Sequence, residues 1–195
     1  GNSVYFWGYG ISGGTTQYPG PTMLVNQGET VTVNLTNNLA EATSIVFPGQ
    51  IGVSTSNGVP GLLTSEAAAN GGTVSYSFVA SRAGTFQYHS GSNMDKQIEM
   101  GLLGVLIVRP AAANQAYEHA DSRYDREYLY LMTEMNLETH QAVEVGLPID
   151  TTKFDPEYWF LNGRTAPDTV FAAAAGWLPT QPYNMLPLIH PGERM

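Results

Sequence analysis

Apolar and polar side chains alternate in short runs over the first two thirds of the chain, with the period of a β-strand. Val31, Val33 and Leu35 alternate with Thr32, Asn34 and Thr36, so a strand here buries one face and wets the other. A second short strand is predicted over residues 22–26, on the near side of a Gln27-Gly28 turn. Residues 73–80 place Val74, Tyr76 and Phe78 on one face, and residues 84–89 continue the pattern. Residues 102–108 are apolar almost throughout, as a strand buried on both faces requires. Residues 43–47 predict one more short strand. Turn signals recur at Gly13-Gly14, Pro19-Gly20-Pro21, Pro48-Gly49, Pro60-Gly61 and Gly71-Gly72. Many short strands between regular turns predict an antiparallel sandwich or barrel. No helix of three turns or more is expected; residues 67–69 and 111–113 each allow a single turn.

The texture changes after Pro110. A small, polar stretch reads as a linker, and a new strand is predicted from Asp125. An acidic loop follows, then a strand over residues 158–162 and a Pro-rich stretch over 179–191. These strands are too few to close a sandwich. The expected organisation is a β-sandwich over residues 1–112, a linker over 113–124 and an incomplete second domain over 125–195. Asn26-Gln-Gly-Glu-Thr and His190-Pro-Gly-Glu-Arg share a Gly-Glu turn, a weak echo that fits two copies of one domain type.

Composition narrows the classes. Charged residues make up 13% of the chain, about half the usual share of about 25%, unlike the charge-rich disordered and coiled-coil classes. A net charge of −9 argues against a nucleic-acid partner, which requires a basic face. Cysteine is absent. That excludes disulfides, thiolate catalysis, Cys-type zinc, iron–sulfur ligation and any blue-copper site made wholly within this chain. The longest apolar run, residues 100–108, contains two Gly and falls short of the roughly 20 residues of a membrane span.

Among candidate chemical residues, His89 stands first, at the end of a predicted strand. It reads either as a metal ligand completed from elsewhere or as a strand-end histidine bonded to a carbonyl or to Ser90. His119 and His140 lie in polar segments and are expected to be solvated, and His190 precedes a Pro-Gly turn. Glu134, Glu138 and His140 form a conceivable carboxylate–imidazole set, but their spacing does not place them on one face. Asp95 and Lys96 are expected as loop charge; Glu99, just before the buried strand, has its partner left open. The glycines between Gly8 and Gly14 lack the βαβ context of a phosphate loop, and no Gly-x-Ser-x-Gly elbow exists. The aromatic runs Tyr5-Phe-Trp7 and Tyr158-Trp-Phe160 are expected in strand cores.

Four segments, in order, resemble the multicopper oxidases. They are Tyr18-Pro-Gly-Pro-Thr-Met-Leu-Val-Asn-Gln-Gly-Glu-Thr-Val-Thr-Val-Asn, then Thr43-Ser-Ile-Val-Phe-Pro-Gly, then Gly84-Thr-Phe-Gln-Tyr-His-Ser-Gly leading into Gln97-Ile-Glu-Met-Gly-Leu-Leu-Gly-Val-Leu-Ile-Val-Arg-Pro. The fourth is Phe160-Leu-Asn-Gly-Arg-Thr with Ile189-His-Pro-Gly-Glu-Arg-Met. The resemblance implies an all-β, cupredoxin-like Greek-key β-sandwich followed by a partial second cupredoxin-like domain. It also implies copper as the family's cofactor and a periplasmic or extracellular location. Where the active family carries His-Trp-His-Gly, this chain has Val46, Phe47, Pro48 and Gly49; where it carries His-Ser-His, this chain has His89, Ser90 and Gly91. Val46, Pro48 and Gly91 cannot ligate, and His89 alone remains of the first-domain ligands.

Two functional readings follow. In the first, this is the N-terminal portion of a copper-dependent oxidase that reduces oxygen, catalytically incomplete by itself and completed by the remaining cupredoxin domains of a longer parent or by another protomer. In the second, it is a copper-free cupredoxin-like structural or interaction module, with unpaired strand edges that favour oligomers. Neither reading involves nucleic acid or a membrane span.

Overall fold

The computed structural model describes residues 3–195. In chain order the strands are β1 Met23–Asn26, β2 Thr30–Asn37, β3 Ser54–Ser56, β4 Gly72–Val79, β5 Gly84–His89, β6 Leu103–Arg109, β7 Met132–Met135 and β8 Tyr158–Leu161. Two short helices, α1 Met94–Glu99 and α2 Leu137–Glu144, interrupt them. The strands form sheets of order β1-β6-β5, β2-β4-β3 and β7-β8. The chain divides into two compact units, each discontinuous. One holds Thr22–Met94, Gly104–Glu127 and Ile189–Met195; the other holds the segment up to Pro21, Asp95–Leu103 and Tyr128–Leu188.

The first unit is a two-sheet β-structure. β1 runs parallel to β6, with Met23 opposite Leu106, and β2 runs antiparallel to β4 from Thr30–Val79 to Asn37–Gly72. The Gln27-Gly28 turn moves the chain from one sheet to the other. Gly28 takes φ +88°, a left-handed conformation that costs glycine little. Its neighbours tie the turn to both sheets: Gln27 N–H donates to Arg109 O and Gly28 N–H to Ala80 O, each at 2.8 Å. Alternation in β4 buries Val74, Tyr76 and Phe78.

Phe47 fills the space between the sheets. Its ring centroid lies 5.9 Å from Tyr76 and 4.9 Å from Phe78 on β4, and 6.3 Å from Tyr88 on β5. The buried Tyr76 hydroxyl donates to Ser65 O at 2.8 Å and accepts from Ile45 N–H at 3.0 Å; burial pushes its ionisation up to about 12. β6 is buried on both faces over most of its length. Gly104 in β6 lies under the Tyr88 ring, so close that an added Cβ would reach within 2.3 Å of Cζ.

The second unit contains the antiparallel pair β7–β8, with Met132 opposite Leu161 and Met135 opposite Tyr158. Tyr18, Met135 and Phe160 form its core, with the Tyr18 and Phe160 rings edge to face at 5.6 Å. Trp7 is buried and its N–H donates to Met100 O at 2.7 Å; Lys96 Nζ sits 5.0 Å from the Trp7 ring. Arg164 is 1% exposed. Its Nε donates to Gln181 O at 2.9 Å, and its Nη1 to Phe171 O and Ala172 O, each at 3.1 Å.

Several expectations are corrected. Residues 43–47 form no strand but two isolated bridges, Thr43 with Ala67 and Val46 with His89. The segment divides its hydrogen bonds between two neighbours, and Pro48 removes the next donor. The strand expected from Asp125 is confined to β7, since Asp125 and Arg126 both donate their N–H to Arg194 O. Tyr5-Phe-Trp7 lies outside any strand, and Tyr5 is exposed. Asp95 and Lys96 belong to α1 rather than a loop, and Glu99 ends that helix. The expected acidic loop after β7 is α2: Asn136 caps it by accepting from Thr139 N–H at 2.9 Å, and Glu138 sits in its first turn, both favourable at a helix N-terminus.

The packing predicts that Gly104→Ala will overpack the sheet interface against Tyr88 and lower the unfolding free energy by about 1–3 kcal/mol. Phe47→Ala will lower it by about 3–5 kcal/mol. Urea unfolding of the full chain, followed by tyrosine fluorescence, measures both.

Candidate functional site

His89 is the last residue of β5 and half-buried. The Val46 bridge fixes its backbone: Val46 N–H donates to His89 O at 2.8 Å and His89 N–H to Val46 O at 3.3 Å. Its Nδ1 lies 2.9 Å from the Ser90 carbonyl oxygen, so that nitrogen carries the proton and donates. The bridge sets the neighbouring positions as well. An added Cβ at Gly91 would lie 2.7 Å from Val46 Cγ1 and 3.0 Å from Ser44 Oγ. No side chain, and no imidazole, enters at position 91 without displacing Val46.

Hydroxyl groups fill the space beside it. Gly91 N–H donates to Ser44 Oγ at 3.1 Å, Ser44 Oγ and Ser92 Oγ are 2.9 Å apart, and Ser92 Oγ donates to Glu66 Oε1 at 2.5 Å. With Ser92 donating to the carboxylate, the proton between the two serines comes from Ser44, and the chain runs one way from Gly91 to Glu66. Ser90 closes the turn: its Oγ donates to Ser92 O at 3.1 Å and accepts from Ser92 N–H at 3.0 Å. Ser44 and Ser90 are wholly buried and Ser92 is 6% exposed. Spacing gave no hint of this chain, since Ser44 and Glu66 lie far from Ser92 in sequence.

The other histidines separate. His119 is exposed and accepts from Asp121 N–H at 3.2 Å through Nδ1. His190 Nδ1 lies 3.2 Å from Glu193 Oε2. Arg126 grips the same carboxylate through Nε at 3.2 Å and Nη2 at 3.0 Å, and holds the Glu193 carboxyl down to about 2.

His140 is not solvated as expected: it is 0% exposed, on α2. Glu134 and Glu138 are exposed and are not its partners. Its Nδ1 lies 2.6 Å from Tyr5 O, and its Nε2 lies 3.1 Å from Glu99 O and 3.4 Å from Glu99 Oε1. Glu99 Oε1 also accepts from Asn136 N–H at 2.6 Å. Both ring nitrogens face acceptors only, so both carry protons and the ring is an imidazolium. Burial opposes that charge, but the Glu99 carboxylate and the Tyr5 carbonyl outweigh it and raise the pKa above its ordinary value. The pair ties the N-terminal segment, α1 and α2 together within the second unit.

No group of three or more His, Asp or Glu side chains able to hold a metal occurs among the described residues. No helix among them is long and apolar enough to cross a membrane.

The architecture is that of a cupredoxin-like sandwich, and comparison with known proteins gives the class. Residues 10–113 match the multicopper oxidase domain family. The chain is 32% identical over 171 residues to copper resistance protein A of Pseudomonas syringae pv. tomato, covering 87% of this chain and 25% of that protein. It is 35% identical over 170 residues to the L-ascorbate oxidase of Cucurbita pepo var. melopepo, covering 84% of this chain and 29% of the relative. Among solved structures, the multicopper oxidase mgLAC superposes with a TM-score of 0.66 at 25% identity over 88% of this chain and 52% of its own. The blue copper oxidase from Nitrosomonas europaea gives 0.63 at 25% identity over 80% and 48%. The chain belongs to the multicopper oxidase family, whose cofactor is copper. It spans about a quarter of the length of the curated relatives it matches.

The His140 imidazolium contributes stability that is fully present below its unfolded pKa of about 6.5 and is lost as pH rises through the higher folded value. Stability of the full chain is therefore expected to fall with rising pH above about 6.5, and His140→Gln to abolish that slope. The same substitution leaves the half-buried Glu99 with Asn136 N–H but without its imidazolium partner, and costs about 1–3 kcal/mol near neutrality. Urea midpoints measured across pH 5.5 to 9, an interval chosen to span the about 6.5 reference, test both statements.

Proposed function

We propose that this chain supplies a cupredoxin-like wall to a multicopper-oxidase-like protein and does not itself hold the copper cluster. Copper-dependent oxidation coupled to reduction of oxygen then belongs to cupredoxin domains outside these 195 residues, on a longer parent or another protomer. The observation that carries the reading is the closed space at the end of β5. Val46 occupies the room that a side chain at Gly91 would need, and the hydroxyl chain to Glu66 fills its flank. Copper at such a site requires several imidazoles in fixed geometry, and here His89 is a single imidazole with no group of three possible ligands around it among the described residues. The donor set does not fit the cofactor, so no step of oxidase chemistry runs through these residues.

Export to the periplasm or the cell exterior accompanies this reading. So does association through the free edges of the short β7–β8 pair and of β3, since exposed edges accept further strands.

The second reading, a copper-free structural or interaction module with no oxidase parent, draws on the completeness of the Ser44–Ser92–Glu66 chain, which leaves these groups satisfied without a metal. The encoded sequence past Met195 separates the two: His-x-His and Cys-containing motifs there favour the oxidase parent, and their absence favours the module.

Purified chain, loaded with excess copper and desalted, is expected to retain far less than one copper per molecule by elemental analysis. His89→Ala is expected to leave that content unchanged. One copper per chain, lost in His89→Ala, overturns the proposal.

A further inference from the structure

The second unit contains a cavity of about 510 Å³ that the copper chemistry does not use. Five aromatic rings line it: Phe6, Tyr18, Tyr158, Phe160 and Trp177. Tyr18 meets Phe6 edge-on at 6.2 Å and Phe160 at 5.6 Å, and Tyr158 lies 6.3 Å from Phe160, so four of the rings form one continuous wall. Tyr18 and Phe160 are buried at its base; Trp177 is 63% exposed and stands at the mouth. The size and apolar lining suit a small organic ligand.

The polar groups of the lining specify which one. No Lys, Arg or His is among the lining residues. The half-buried Asp168 carboxylate lines the cavity and receives no hydrogen bond from any described residue. Gln181 also lines it, with its Nε2 donating to Gly163 O and its Oε1 left without a donor. Arg164, the cation nearest this carboxylate in sequence, donates from Nε and Nη1 to the backbone carbonyls of Gln181, Asp168, Phe171 and Ala172. Its Nη2 has no hydrogen-bond partner among the described residues, and its charge acts on the Asp168 carboxylate without a hydrogen bond between them. The cavity therefore combines π-faces with acceptors that lack donors. A cation over aromatic faces gains about 0.5–2 kcal/mol, and an ammonium brings the N–H donors that a carboxylate and a carboxamide oxygen lack.

We propose that this cavity binds a small organic cation, an alkyl- or arylalkyl-ammonium, with its charged head toward Asp168 and Gln181 and its apolar body against the aromatic wall. Neutral ligands of the same shape fill the wall and leave the carboxylate unanswered; anions meet Asp168 and are repelled. The cavity lies wholly within the second unit and shares no residue with the His89 region, so it stands whether or not copper binds anywhere on the chain.

Calorimetric titration of the full chain with 2-phenylethylammonium, 2-phenylethanol and 2-phenylacetate tests this. The ammonium is expected to bind about tenfold more tightly than the alcohol, and the acetate more weakly than either. Asp168→Asn is expected to remove the preference for the ammonium while leaving alcohol binding unchanged. Trp177→Leu, at the exposed mouth where folding is not at stake, is expected to weaken the ammonium severalfold more than the alcohol; it carries the test if Asp168→Asn loses its far-UV circular dichroism. Equal binding of ammonium and alcohol, binding of the acetate as tightly as the ammonium, or no binding of the ammonium overturns the proposal.

Discussion

Phe47 is wedged between the two sheets of the first unit, and the arrangement at the end of β5 depends on it. Its ring meets Tyr76 and Phe78 from one sheet and Tyr88 from the other. Aromatic pairs of this kind contribute about 0.5–1.5 kcal/mol each beyond the area they bury. With the ring fixed, the flanking backbone has little freedom. Val46 is held against His89 by a bridge of two hydrogen bonds, and Pro48 offers no donor to extend the pairing. The Val46 side chain then occupies the room beside Gly91. A packing requirement of the core thus determines which side chains the strand end accepts.

Beside the end of β5, Ser44, Ser92 and Glu66 form a continuous polar chain, with Ser90 shaping the turn between them. Buried polar chains of this kind are stable when each member is satisfied and costly when one is removed, at about 1–3 kcal/mol for an orphaned group. The chain needs no cation to hold Glu66 and the β5 end together. The end of β5 is thus held by its own hydrogen bonds.

The strands were legible where alternation is long and uninterrupted. β2, β4 and β6 match the periodicity of Val31 to Leu35, Val74 to Phe78 and the apolar run after Leu102. Legibility failed where a segment shares its hydrogen bonds between two neighbours. Residues 43–47 have the composition of a strand, yet Thr43 pairs with Ala67 and Val46 with His89. It failed again at α2, where Asn136 three residues ahead of Thr139 is a capping signal that eight residues of weakly amphipathic helix did not support. At the candidate site, the residues Val46, Pro48 and Gly91 could be singled out from order and resemblance. The hydroxyl chain could not, because Ser44 and Glu66 lie 48 and 26 positions from Ser92 and meet it only on folding.

The two interior histidines show how far residue identity alone falls short. His89 sits where a ligand would be sought; its backbone is bridged to Val46, and the adjacent carbonyl holds the proton on Nδ1 and leaves Nε2 as the acceptor nitrogen. His140 sits in a polar segment that reads as solvent-facing, yet two carbonyls and a carboxylate enclose it so that both nitrogens must donate. Position along the chain left the role of His89 open and misjudged His140; the partners that folding supplies decide the chemistry. Asp168 illustrates the same rule by contrast. His140, Glu66 and Glu193 each find a partner within the protein, whereas the Asp168 carboxylate stands at an aromatic cavity with no described donor. A satisfied polar group stabilises the fold, and an unsatisfied one beside open volume leaves free energy available to a ligand. At the end of β5 the polar groups answer one another within the chain, whereas at Asp168 a carboxylate facing open volume receives no hydrogen bond from any described residue.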